Sequence, residues 1–256
     1  MSVLAEEIAA KALTIAERQQ EVYNAGYAKG QAAGGNTESA YNEGYEAGQQ
    51  AEYIRQWDEI TWNGERKNYS HAFKYMPFVE FKPPVKIVPE ECNCMFEHAE
   101  KLKTVSAEYI DFSQAKAGNN NYVNYANFSA CFELEDLSEI VFPPGGYAYT
   151  FNTCRKLHSI GGCHFNENDP ITSTAFYACY ELVNLPIYGT IGQNGFSVTH
   201  CTKLSHDSLM SIINALKDYS EDTSGTVWKV TLGSTNIKKL TDAEKAIATE
   251  KGWTLA

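Results

Sequence analysis

Phe128-Ser129-Ala130-Cys131-Phe132-Glu133-Leu134-Glu135-Asp136-Leu137-Ser138-Glu139-Ile140-Val141-Phe142 returns 23 residues later as Phe151-Asn152-Thr153-Cys154-Arg155-Lys156-Leu157-His158-Ser159-Ile160-Gly161-Gly162-Cys163-His164-Phe165. The aromatic, the cysteine and the leucine keep a spacing of three, and apolar residues then recur at matched places. Working outward, an aromatic-x-x-small-x-x-aliphatic pattern occurs six times. The flanking copies are Phe73/Met76/Val79 and Phe96/Ala99/Leu102 on one side, Phe176/Cys179/Leu182 and Val198/Cys201/Leu204 on the other. Their middle positions lie 23, 32, 23, 25 and 22 residues apart.

A period in the low twenties marks a leucine-rich solenoid, in which each coil leaves an apolar side that its neighbours must cover. The expected fold class is therefore α+β: a solenoid over residues 65–205 with one short strand per coil. The repeat core expected inside it is Phe73, Phe96, Phe128, Cys131, Leu134, Phe151, Cys154, Leu157, Phe176, Cys179, Leu182, Cys201 and Leu204. Strands should follow each copy, as in Leu134/Leu137/Ile140/Phe142, Leu157/Ile160/Cys163/Phe165 and Leu182/Leu185/Ile187. The long second interval, 32 residues, has room for an insertion. Its exposed tip is expected at Asn119, Asn120, Asn121, Tyr122, Val123, Asn124 and Tyr125, and the Asn and Tyr side chains make it a candidate recognition loop.

Phe-x-x-Cys-x-x-Leu followed by a short strand resembles the BspA-type leucine-rich repeat, found in bacterial surface proteins and in proteins of phages and prophages. The likeness covers residues 70–205, with departures at Met76, Ala99 and Val198. It implies a binding or adhesion role and no shared catalytic residues. The flanks are similar to phage and prophage proteins as well: the Tyr/Gly segment leading to Trp57-Asp58, and the ending from Lys239 to Trp253.

Residues 1–62 carry ten acids and four bases, with neither Pro nor Cys. Ile8, Ile15 and Val22 recur at heptad spacing, a stripe too narrow to stabilise a lone helix, so it needs helical partners. Tyr23-Asn24-Ala25-Gly26-Tyr27-Ala28-Lys29-Gly30-Gln31 repeats as Tyr41-Asn42-Glu43-Gly44-Tyr45-Glu46-Ala47-Gly48-Gln49, an offset of 18 residues and thus about five helical turns. Gly26, Gly30, Gly44 and Gly48 would let another backbone approach, with Tyr27 and Tyr45 lying over it; a flexible linker is the competing reading. Residues 1–64 are expected to form a helical oligomerisation and attachment region, interrupted near Gly34-Gly35-Asn36-Thr37 and ending near Asn63-Gly64, most simply a homotrimer.

The C-terminal stretch, 206–256, reads as an α/β cap. Leu209, Ile212, Ile213 and Leu216 form a helical stripe behind Asp207, and Trp228, Val230 and Leu232 alternate as a strand. Thr241-x-x-Glu244 is a capping-box pattern, Gly252 a helix stop, and Trp253-Thr254-Leu255 a last strand.

The formal charge of −11 disfavours nucleic acid and anionic membrane as partners. The window 182–202 lacks Asp, Glu, Lys and Arg, yet Asn184, Pro186, Gly189, Gln193 and Asn194 make it too polar for a membrane span. The start Met-Ser-Val-Leu-Ala-Glu-Glu carries no secretory signal pattern, which points to a soluble protein made in a cytoplasm.

Seven cysteines admit three readings: packed small apolar residues, a disulfide ladder, or metal ligands. Register places four of them inside. Cys92-x-Cys94-x-x-x-His98 lacks a second ligand pair at zinc-site spacing. The pairs Cys163-His164 and His200-Cys201 do not make a protease, Glu133-Leu134-Glu135-Asp136 alternates in and out, and Gly145-Gly146 and Gly161-Gly162 read as turns. No catalytic residue, metal or cofactor is expected. The expected function is a phage virion structural or host-recognition protein, partnered by itself, by other virion proteins and by a host surface protein or glycan. A bacterial adhesin or secreted effector is the alternative, and a cryptic hydrolase the third.

Overall fold

A computed structural model describes residues 67–117 and 121–256, all within the unit Trp62–Ala256. Ile8, Ile15, Val22, Gly26, Tyr27, Gly30, Gly44, Tyr45, Gly48, Asn119 and Asn120 lie outside the described residues, as do the expected break near Gly34 and the helix end near Asn63.

Apolar residues at a period of about 23 dictate how the chain stacks. Strands β1 (Asn124–Tyr125), β2 (Asp136–Phe142), β3 (Tyr147–Ala148), β4 (Ser159–Phe165) and β5 (Ile187–Gly189) pair only in parallel. In register, Asn124 faces Tyr147, Asp136 faces Ser159 and Cys163 faces Ile187, so each strand lies on the strand about one period later. Elsewhere the contact thins to single parallel bridges: Asn68 with Glu91, Ile87 with Ile110, Ser159 with Asn184, and Ile191 with Leu216. Extended strands therefore run through the middle of the described residues, and single parallel bridges join the chain before, between and after them.

Phe73, Phe96, Phe128, Phe151 and Phe176 form a column through the core, with successive ring centroids 5.4, 5.0, 6.2 and 5.5 Å apart and near-parallel planes. Such pairs add about 0.5–1.5 kcal/mol each beyond burial. Leu102, Leu134, Leu157, Leu182 and Leu204 are fully buried beside it. The column continues to Phe196, 5.7 Å from Phe176, two residues before the expected Val198. In the first copy the buried residue is Phe78 rather than Val79, which is 37% exposed: the register slips by one at Pro77, and Phe78 and Phe81 close on Phe73 and Phe96.

Two further expectations are corrected. Gly161-Gly162 is no turn but lies inside β4, where β2 and β4 shift register. A Cβ at Gly161 would sit 2.6 Å from the Ser138 carbonyl oxygen, so only glycine lets β2 bulge against it. Asn124 is no exposed tip: its side chain is fully buried and donates to the carbonyls of Pro143 and Gly146. The long interval folds inward through a 3-10 turn, Phe112–Gln114, capped by Asp111, and Phe112 stacks on Phe142 at 5.3 Å.

Around each Phe the backbone takes an unusual form. His71 and Tyr75, Cys94 and His98, Ala126 and Ala130, Tyr149 and Thr153, and Ala178 sit at φ between 51° and 63°, two residues before or after the aromatic. Left-handed backbone costs a non-glycine residue about 1–2 kcal/mol, so it persists only where the surroundings over-determine it. Here alternate N–H groups then reach the next unit: His71, Phe73 and Tyr75 donate to Asn93, Met95 and Glu97, while Ala126, Phe128 and Ala130 donate to Ala148, Thr150 and Asn152.

The C-terminal region adds α1 (His206–Ala215), β6 (Trp228–Val230), α2 (Ser234–Ile237), α3 (Asp242–Glu250) and β7 (Trp253–Leu255). Ser205 caps α1, so that helix starts one residue ahead of Asp207. Thr241 and Glu244 form a reciprocal capping box on α3, Gly252 takes φ 82° beyond its end, and β6 pairs in parallel with β7.

Candidate functional site

The left-handed residues bend the chain around each Phe, so neighbouring side chains point outward at fixed heights. Tyr75, Tyr149, Tyr177 and Tyr180 are exposed on this side. Rings from neighbouring units meet: Tyr75 stacks on His98 at 5.0 Å, Tyr125 meets Tyr149 at 6.1 Å, and Tyr177 lies 4.4 Å from His200. Between the Phe96, Phe128 and Phe151 units lies a recess of about 480 Å³, bordered by Glu97, His98, Tyr125, Phe132, Asn152 and Arg155. The Arg155 guanidinium stands 5.3 Å over the Phe132 ring, which fixes a planar donor at the rim. Flat rings beside amide and guanidinium donors suit a ligand with both apolar faces and hydroxyls.

Tyr125, half-buried in β1, brings one end of the expected recognition loop to this recess. Tyr122 is half-buried and 6.2 Å from Tyr125, Asn121 is exposed, and Asn124 turns inward as described.

A second recess, about 450 Å³, opens between Lys86, Asp111, Glu139, Pro143, Pro144 and His164. Its carboxylates are already engaged. Glu139 accepts from the Ser106 hydroxyl at 2.6 Å and the Ala107 N–H at 3.1 Å, contacts that hold its pKa down. Asp111 is likewise held down by the Ser113 N–H. These groups staple loops, and nothing here pairs a nucleophile with a base.

All seven cysteines are free and buried. Their role exceeds that of small apolar fillers. Cys131, Cys154, Cys179 and Cys201 each donate Sγ–H to the carbonyl of the preceding repeat's Phe: Phe96 at 3.1 Å, Phe128 at 2.9 Å, Phe151 at 3.1 Å and Phe176 at 3.5 Å. Alanine would fill the space without that donor, which accounts for cysteine at this place in four units. Burial pushes the thiols of Cys131, Cys154, Cys163 and Cys179 well up, and that of Cys92 up to about 12. They are therefore poor nucleophiles. Cys163 is buried while His164 reaches the surface, so that adjacent pair does not act together.

Sequence reading overlooked one grouping. His71, Cys94 and Glu97 bring a nitrogen, a sulfur and an oxygen within 4.8 Å of one another, the one such group among the described residues. His71 and Cys94 are 23 residues apart, one repeat period, so writing the sequence in register would have aligned them.

Neither a family model, a curated protein nor a solved structure matches the chain. The likeness to the BspA-type repeat therefore stands on the repeat residues alone. Among the described residues, no helix is long and apolar enough to cross a membrane.

Proposed function

We propose that this chain is a non-enzymatic recognition protein of a phage virion: a leucine-rich solenoid that presents its ring-bearing side to a host-surface glycan or protein. Residues 1–64 join it to copies of itself and to other virion proteins. One observation carries the reading: exposed tyrosines and half-buried histidines recur on one side of the stack, and there Tyr149, His98 and Tyr125 border a recess that also holds the Asn152 amide and the Arg155 guanidinium. Stacked repeats hold those groups on ordered backbone, so binding would lose little conformational entropy. The virion assignment draws on the similarity of both flanks to phage and prophage proteins.

The test is binding of the full chain to intact bacteria and to a panel of their surface glycans. The double variant Tyr149→Ala/Arg155→Ala removes one exposed ring and the rim guanidinium while leaving the Phe column intact. Binding should weaken by about tenfold or more, the loss of two contacts worth about 1 kcal/mol each. Undiminished binding by that variant defeats the proposal.

A further inference from the structure

We infer that His71, Cys94 and Glu97 form a binding site for a single zinc-class transition-metal ion, at the flank of the ring-bearing side. The three donors come from two consecutive units. His71 and Cys94 hold the same place, two residues before Phe73 and Phe96, and the ladder bond from the His71 N–H to the Asn93 carbonyl at 2.9 Å fixes one backbone above the other. Glu97 follows Phe96 directly, and its backbone carbonyl accepts from Tyr75 at 3.0 Å. The backbone thus fixes all three attachment points.

Donor atoms within 4.8 Å of one another need only small rotations to reach the separations of about 3.3–3.8 Å in a tetrahedral site with 2.0–2.3 Å bonds. An imidazole nitrogen, a thiolate and a carboxylate suit Zn²⁺ or Co²⁺ and are a poor set for Mg²⁺ or Ca²⁺, which prefer oxygen. Three protein donors leave one coordination position for water.

The charge also balances. Coordination releases the thiol proton to solvent, so thiolate and carboxylate together neutralise a divalent ion. Lys74 now holds that place electrostatically, its Nζ 2.6 Å from the Glu97 carboxylate and 5.0 Å from the Tyr75 ring. Its flexible stem lets the ammonium leave for solvent when a metal arrives. Lys74 thus competes with the ion. The other cysteines make no comparable group: Cys92 donates inward to the Val123 carbonyl, and the repeat thiols are bound to Phe carbonyls.

Titration of the full chain with Co²⁺ alone tests the site, because a thiolate–cobalt bond gives an ultraviolet charge-transfer band that carboxylate and imidazole sites lack. One equivalent should produce the band, and Zn²⁺ should erase it. Cys94→Ser should abolish it, His71→Ala and Glu97→Gln should weaken Co²⁺ binding by more than about tenfold, and Lys74→Met should strengthen binding. His71 is exposed, so His71→Ala keeps the test decisive if Cys94→Ser fails to fold. No charge-transfer band with the intact chain, or a band that survives His71→Ala and Glu97→Gln at full affinity, overturns the site.

Discussion

The repeats over residues 67–205 and the C-terminal region over 206–256 meet the same requirement by different means. In the repeats, backbone satisfies backbone: N–H groups on either side of Phe73, Phe96 and Phe128 donate to the following unit, and the thiols of Cys131, Cys154 and Cys179 donate back to the preceding unit's Phe carbonyl. A series of that kind has no natural stop, because each unit leaves fresh groups for another. In the C-terminal region side chains take over. Ser208 accepts from the Leu185 N–H and donates to the Val183 carbonyl; Ser211 does the same for Ile187. Asn236 donates to the carbonyls of Val198, Cys201 and Leu232, and the Lys239 ammonium to those of Thr202 and Leu204. Helix α1 thus stands where another unit would lie. Its serines, one helical turn apart, imitate the backbone groups that unit would have offered.

Raising the pH should separate the regions most sharply. Burial raises the folded-state pKa of Cys92, Cys131, Cys154, Cys163 and Cys179 above the ordinary thiol value of 9.0, and residues 206–256 contain no cysteine. Below pH 9 both states hold these protons and nothing is lost. Above it the unfolded chain sheds protons that the folded chain keeps, so stability falls by about 1.4 kcal/mol per pH unit for each thiol. Urea melts between pH 8 and 11 should show the transition moving steeply down; a flat profile would contradict the burial assigned to the thiols.

Next in size is Cys154→Asp, which sets a carboxyl against the Phe128 carbonyl in the core. It should cost about 3–5 kcal/mol and unfold the repeats. Cys154→Ala loses only the thiol contact and some packing, about 1–2 kcal/mol, and Cys154→Ser, which keeps a donor, should lie closer to wild type than Asp does. Chemical denaturation of the three variants gives the order, and equal melts for Asp and Ala would refute the inward placement.

Ser208→Ala with Ser211→Ala should cost about 2–4 kcal/mol by stranding the backbone groups of Leu185 and Ile187. Hydrogen exchange should speed up first at those two amides. Protection that stays at wild-type level would mean the serines are dispensable.

The smallest effect belongs to Thr241→Ala, about 1 kcal/mol from loss of the α3 cap. Its partner Glu244 supplies the acid counterpart of the thiol effect. The Thr241 N–H holds the Glu244 carboxyl below its ordinary value of 4.5, so its contribution is present above that pH and is lost as pH falls through the lower, folded-state value. In Thr241→Ala, whose backbone N–H remains, a milder acid dependence is expected in thermal melts between pH 5 and 2; an unchanged melting temperature at neutral pH would discount the cap.

What could be read from the chain differs between these regions in the same way. The period, the Phe positions and the capping box are side-chain patterns, and they show in the letters. The left-handed residues do not show, because Ala126, Ala130, Thr153 and Ala178 carry no preference for that conformation; the stack imposes it. Nor does the thiol–carbonyl contact, whose acceptor is backbone and has no letter. Gly161-Gly162 looks like a turn because glycine pairs usually serve one, whereas here close approach of β2 demands it. Asn124 looks exposed because asparagine usually is, yet its amide is spent on two buried carbonyls. His71 meets Cys94 only through the stacking of units, and local motif spacing is blind to that.

The direction of the ladder bonds has a mechanical consequence. N–H groups such as those of Phe73 and Phe128 point along the stacking direction, so a pull applied along it loads the seams between units one after another rather than all at once. The repeats should peel under tension as a series of small, separate yields. Each freed unit of about 23 residues would lengthen the chain by about 70–80 Å. A molecule that tethers two moving bodies could thereby absorb a jolt by losing one turn and winding it back.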